Sequence, residues 1–330
     1  LGLGNTIPSD SVRQGLGGGG GGETKFVMEV TIPSDGYTVK LSQTTAGVPG
    51  INYNVDWGDG NTDSGNTGMV SHVYDTGVYD IKVDGNWSPR LQLDTPTRNV
   101  VTKLKNWGKD TTTFLSFNLA FRDCVNMEYE PTDYPTLNLA AGIQASYVFL
   151  NVTTPTFTGV LDISNWDLSG TTTTMIAIFS TSFDNASGFT MIGNTINASA
   201  TSGFVSNFAD GLVDGEGDIN INNVTWTNSN SMTQFFTGAK GLNNVNNWTL
   251  KASGTVDMYR AFYKSHLKKG VTTLDLSGWN NTSNITRMHD CFRDVDFFDV
   301  SGAQTNGILD ITGWNFSSLN SLYFCFYGSS

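Results

Sequence analysis

Along most of this chain an apolar residue stands four positions before a phenylalanine. The pair recurs as Phe117/Phe121, Ala145/Phe149, Met175/Phe179, Phe204/Phe208, Met232/Phe236, Met258/Phe262, Met288/Phe292 and Leu322/Phe326. Successive phenylalanines lie 28, 30, 29, 28, 26, 30 and 34 residues apart. A repeat of roughly 20–50 residues marks a solenoid or array. A second signal runs ahead of the first. Tryptophan precedes the marker phenylalanine by 10 to 14 residues at Trp107, Trp166, Trp226, Trp248, Trp279 and Trp314. Five of these six carry an aliphatic residue three positions earlier, at Leu104, Ile163, Val245, Leu276 and Ile311. The same grammar gives the echoes "LDISNWDLS" at Leu161, "LDLSGWNNTS" at Leu274 and "LDITGWNFSS" at Leu309.

Each unit reads as a short strand, a polar turn, and one helical turn in which Met and Phe at i and i+4 share a face. A lone unit cannot bury its own apolar side, so the units are expected to stack. Phe121, Phe149, Phe179, Phe208, Phe236, Phe262, Phe292 and Phe326 would then fill the layers between about eight rungs spanning 104–330. The rungs ending at Phe149 and Phe208 lack the tryptophan.

Before this array the period changes to two. "KFVMEVTI", "YTVKL", "INYNVDWGDG" and "MVSHVYDTGVYDIKVDG" alternate apolar and polar residues between Gly and Asp turns, the pattern of a β-sandwich over 23–86. Residues 87–103 read as a connector. The glycine run within 1–22, "GLGGGGGG", holds no compact fold by itself and reads as a tether or as an arm pinned by a neighbouring chain. The expected fold class is therefore mainly β with short helical turns, a sandwich followed by a leucine-rich-repeat-like solenoid.

Two resemblances attach to these residues. "AFRDCVNM" (Ala120 to Met127), "CFRDVDF" and "LDISNWDLSGTTTTMIAIF" look like the BspA-like leucine-rich repeats and the related bacterial surface repeats of about 26 residues, written D-I-S-x-W-D-V-S-x-V-x-x-M-x-x-M-F. The rungs here are longer and less regular than that pattern. Asp56-Trp57-Gly58-Asp59-Gly60, followed by Tyr74, Gly77 and Tyr79, resembles a PKD (polycystic kidney disease) domain. That likeness implies an immunoglobulin-like extracellular spacer without enzymatic activity.

Composition adjusts the picture. Thr (41), Asn (32), Ser (29) and Gly (37) carry the polar share, a mixture that favours turns and short strands over long helices. With a net charge of −12 the surface should repel nucleic acid, and Lys264, Lys268 and Lys269 make the sole basic cluster of note. No apolar run reaches the length of a membrane helix, the first residues do not read as a signal peptide, and "FCFYGSS" reads as part of a repeat unit, so a longer product is expected. Cys124, Cys291 and Cys325 offer neither a disulfide framework nor a metal spacing and read as small buried hydrophobes, although Cys291 and Cys325 hold the same repeat position, which makes a bridge between them conceivable.

Candidate chemistry is sparse. Asp59, Asn61 and Asp63 alternate like the opening of a calcium loop, the one cofactor the sequence suggests. Gly falls seventh rather than sixth and position twelve has no Glu, so a polar hairpin turn is the stronger reading. Asp214, Glu216 and Asp218 alternate in the same way with less to support them. A ladder of Trp166, Trp248, Trp279 and Trp314 would stack on sugar rings if exposed, and is core if buried; core is the stronger reading. His72, His266 and His289 are scattered, and no nucleophile elbow, zinc motif or phosphate loop occurs, which points away from an enzyme. Asn-x-Ser/Thr sequons, among them Asn151, Asn223, Asn247 and Asn284, occur about as often as chance predicts.

These readings converge on a non-enzymatic protein of a virion or particle surface, of fibre or decoration type. Its solenoid would meet protein partners, a host-surface protein or glycan, or copies of itself, without nucleic acid or membrane insertion. A bacterial cell-surface adhesin and a glycan-binding module are the alternatives, and all three place the chain outside the cell.

Overall fold

The computed structural model describes residues 23–43, 48–131, 133–138, 147–149, 152, 217–226, 231–298 and 300–329, and only short segments between 160 and 202. Phe179, Phe208, Trp166 and the glycine-rich arm lie outside the described residues. The fold is mainly β with very little helix, and its repeats wind as a β-solenoid of about five turns.

The alternating segments form the strands their period predicts. Strand β1 (Phe26–Ile32) is flanked on both sides by antiparallel partners, β6 (Gly77–Trp87) and β7 (Val101–Trp107). The alternate residues Phe26, Met28, Val30 and Ile32 are all buried, as a strand with one face on a core requires. Strands β2 (Tyr37–Leu41) and β5 (Val70–Tyr74) pair as a second, two-stranded sheet. The hairpin of β3 (Asn52–Asp56) and β4 (Thr62–Asn66) joins the larger sheet through β6. The Tyr74 hydroxyl donates to the Trp57 carbonyl at 2.7 Å, tying β5 to the hairpin turn.

The expected connector is not a spacer. It holds helix α1 (Thr95–Val100), whose N-terminus is capped by the Asp94 carboxylate accepting from the Thr97 N–H at 3.0 Å. It then runs directly into β7, so the expected boundary at 104 falls inside a strand of the front sheet. Winding also begins there. Strand β8 (Thr112–Phe114) adds in parallel to β6, β9 (Glu128–Tyr129) in parallel to β7, and β10 (Thr136–Leu137) in parallel to β8. Phe121 stacks on Phe26 of β1 at 6.2 Å and on Phe149 at 5.7 Å, so the first rung shares the core of the front sheet.

Further on, parallel pairing joins Val160–Asp162, Thr190–Asn194, Asp218–Asn222, Lys240–Asn244 and His266–Leu267 into one ladder. The echoes at Leu274 and Leu309 stack directly, Leu274 on Leu309 and Asp275 on Asp310. Each Asp accepts from the N–H two residues on, at Ser277 and Thr312, both at 2.9 Å, and so turns the chain out of the strand. The later tryptophans are tied to the rung before them. The indole N–H of Trp279 donates to the Val245 carbonyl and that of Trp314 to the Leu276 carbonyl, both at 2.8 Å. Trp279 and Trp314 therefore satisfy their polar edges on the main chain of the preceding rung. The rings stack from rung to rung, with Trp248–Trp279 at 4.8 Å and Trp279–Trp314 at 5.4 Å.

The segment from Met to Phe is not a helical turn. The residue two before the marker phenylalanine has positive φ in every described rung: Leu119, Tyr147, Gln234, Arg260, Asp290 and Phe324, between 50° and 58°. The residue two after it does the same at Asp123, Gly238, Lys264, Asp294 and Gly328. A right-handed helix cannot pass through a left-handed residue every fourth position. The chain instead makes successive tight turns, with Ala261 N–H bonded to Met258 C=O and Ser265 N–H to Phe262 C=O, both at 3.1 Å. A left-handed third residue closes each of them. Met and Phe still share a face, because four residues of this winding also complete one corner.

Candidate contact face

The corner is built from a comb of backbone bonds. The N–H groups of Met258, Arg260, Phe262 and Lys264 donate to the carbonyls of Arg287, His289, Cys291 and Arg293 at 2.8–3.0 Å. Met288, Asp290, Phe292 and Asp294 repeat this onto Ser321, Tyr323, Cys325 and Tyr327 at 2.9–3.0 Å. Every second residue is thereby pinned, so the side chains of the corner hold a fixed register. Inward stand Met258, Ala261 and Phe262, then Met288, Cys291 and Phe292, all buried.

Outward stand tyrosines, arginines and carboxylates in columns. The Arg260 guanidinium lies 4.9 Å from the ring centres of both Tyr259 and Tyr263. Arg287 lies 4.9 Å from Tyr259 and donates to Asp257 at 2.8 Å. Arg293 lies 5.7 Å from Tyr263 and 5.2 Å from Tyr327. Asp290 joins the columns, accepting from Arg260 at 3.4 Å and Arg293 at 3.2 Å, and its carboxylate raises the Arg293 pKa further. His289 bonds Ser321 in the next rung. Tyr323, Phe324 and Tyr327 continue the columns with 62%, 46% and 59% of their surface exposed. Ring–guanidinium stacking holds these side chains in place without neutralising them. The result is an ordered, partly solvated patch rich in Tyr and Arg, the residue types that dominate contact surfaces.

The residues singled out from the sequence fall elsewhere. Trp248, Trp279 and Trp314 are buried, and Trp248 is fully so, which leaves no ring face for a sugar in the described part of the ladder. Phe121, Phe149, Phe236, Phe262 and Phe292 are core, whereas Phe326 is 51% exposed although it stacks on Phe292 at 5.7 Å. Asp59, Asn61 and Asp63 lie on the turn between β3 and β4 and on the start of β4. The Asp59 carboxylate accepts from the Asn61 N–H at 3.0 Å, the Asn61 amide at 3.0 Å and His72 Nε2 at 2.7 Å. Asp63 accepts from the Trp57 indole at 2.9 Å. These carboxylate oxygens accept from protein donors and close a hairpin turn. Among the described residues no group of three His, Cys, Asp or Glu is placed to hold a metal. Asp214 and Glu216 lie outside the described residues, and Asp218 pairs with Lys268.

The turn has a consequence for acid stability. Burial alone would raise the Asp59 pKa, but the Asn61 and His72 donors bring it down from 3.8 to about 2. A depressed carboxylate stabilises the fold above its unfolded pKa and loses that contribution as pH falls through the folded value. Thermal midpoints are therefore expected to drop between pH 4 and pH 2, and to drop less in Asp59→Asn, which has no proton to take up. Equal losses in both proteins would remove Asp59 from the account.

The outward columns were open to sequence reading. The register that marks Met258 and Phe262 also places Tyr259 and Tyr263, and Tyr323 and Tyr327, at equivalent outward positions. An apolar cavity of about 110 Å³, lined by Leu274, Phe292, Phe297, Leu309 and Phe326 among others, sits beside the corner between the last two described rungs and has no polar constellation for chemistry. Among the described residues no helix is long and apolar enough to cross a membrane. No protein-family model, curated protein or solved structure matches this chain.

Proposed function

We propose that this chain is a non-enzymatic structural component of a virion or particle surface, of fibre or decoration type, which presents its solenoid for contact. The observation that carries the reading is the Tyr/Arg/Asp ladder at the corners. A regular backbone comb holds it rigid, so little side-chain entropy is lost on binding. The partners are neighbouring proteins of the assembly or a host-surface protein or glycan. In this reading the front sheets act as a PKD-like, immunoglobulin-like spacer, the array runs to about eight rungs, and the glycine-rich arm attaches the chain. A bacterial surface adhesin is the second reading, supported by the D-I-S-x-W register shared with bacterial surface repeats.

Peptide mass spectrometry on density-separated native material separates the two. Recovery at fixed stoichiometry with capsid or tail proteins is the expected result. Recovery with the cell envelope would overturn it in favour of the adhesin.

A further inference from the structure

The position before each marker phenylalanine forms a buried column through Phe235, Ala261, Cys291 and Cys325. The Phe262 N–H bonds Cys291 C=O at 2.8 Å and the Phe292 N–H bonds Cys325 C=O at 2.9 Å, which makes the two cysteines direct neighbours across adjacent rungs. Neighbours in a β-ladder lie about 4.8 Å apart, inside the roughly 4.4–6.8 Å that a disulfide bridges between Cα atoms. Both side chains are buried there, and both thiols are free in the structure. Cys124, by contrast, is buried in the first rung, and its equivalents one rung on and in the later rungs are Val152, Ala239, Ser265 and Val295.

We propose that Cys291 and Cys325 form a disulfide staple between the last two described rungs, closed during folding by a small disulfide such as oxidised glutathione. The Cys325 thiolate attacks one sulfur of the oxidant, giving a mixed disulfide and one released thiolate. Cys291 then loses its proton to that thiolate, and its sulfur attacks the Cys325 sulfur and expels the second thiol. Two protein thiols are oxidised and one external disulfide is reduced to two thiols. The same balance holds with Cys291 as the first attacker, since the two thiols exchange roles symmetrically before the rungs have stacked. Closure during folding follows from burial, since both sulfurs are enclosed once the rungs have stacked. Beside the staple, Leu322 and Phe326 are each about half exposed.

The test is to refold the full chain in oxidised and reduced glutathione, and separately in dithiothreitol, then alkylate in denaturant and weigh it. One alkylated thiol after oxidative refolding, three after reduction and a linked Cys291–Cys325 peptide are expected. The oxidised protein should also melt about 3–6 °C higher, a shift that vanishes in Cys291→Ala. Ala already occupies that column at Ala261, so this variant is expected to fold. Three free thiols in oxidatively refolded protein of native circular dichroism would overturn the staple. So would a persistent glutathione adduct on Cys325, a bond to Cys124, or a disulfide between chains.

Discussion

Replacing Phe262 by Ala is expected to destabilise the protein by about 3–5 kcal/mol in a urea titration followed by circular dichroism. The ring is stacked on Phe236 at 5.2 Å and on Phe292 at 5.1 Å, and it also meets Trp279 at 6.2 Å. Removing it leaves a void that cannot collapse, because the backbone comb holds rungs at a set spacing on both sides. The informative comparison is Phe326→Ala. That ring stacks on one phenylalanine alone and is half exposed, so its loss is expected to cost about 1 kcal/mol or less. Equal costs at the two positions would mean that the marker phenylalanines are not interleaved as a stack. The same ordering should hold along the array, with interior markers costly and a partly covered one cheap.

Much of this architecture was legible in the sequence because the repeat is a statement about side chains. Phe262 and Trp279 recur in register because each layer must match the next, and the structure pairs Phe236, Phe262, Phe292 and Phe326 in that order. What composition and spacing did not disclose is backbone handedness. Met258 and Phe262 four residues apart suit a helical turn equally well, and it is the positive φ at Arg260 and Lys264 that selects tight turns instead. Glycine at the equivalent positions Gly238 and Gly328 was the available signal, since glycine tolerates that conformation at no steric cost. Arg, Lys, Asp and Gln in the other rungs masked it. The junction between front sheet and array is hard to read for a related reason. Trp107 carries the repeat register, yet its strand Val101–Trp107 pairs with Phe26–Ile32 of the front sheet, and pairing between distant strands leaves no trace in a local period. The contact face is less conspicuous in the sequence than the tryptophans, because its Tyr, Arg and Asp change identity from rung to rung while the tryptophans keep theirs.

Gly241→Ala is expected to be nearly as damaging as the loss of Phe262, for a reason that no hydrophobic pattern records. Gly241 has φ of +93°, and a β-carbon there would lie 2.2 Å from the carbonyl carbon and oxygen of Gly217. A β-carbon on Gly217 would meet the Lys240 carbonyl oxygen at 2.3 Å. Two rungs thus touch backbone to backbone. The pairing register also slips here, with Lys240 opposite His266 and Leu242 opposite Leu267, so Gly241 is the extra residue of a bulge. Overpacking costs about 1–3 kcal/mol, and forcing a β-carbon into the left-handed region adds about 1–2 kcal/mol. The clashing atoms are all main chain and cannot rotate away. Gly68 is the control, since a β-carbon there meets nothing within 4 Å, and Gly68→Ala should stay within about 0.5 kcal/mol of the parent. Hydrogen exchange adds a spatial readout. In Gly241→Ala the amides of 218–222 and 240–244 should lose protection first, while those of Phe26–Ile32 keep theirs. A variant that melts with the parent and keeps protection at 240–244 would show that the rungs do not approach so closely, and with that the stacked winding itself would fall.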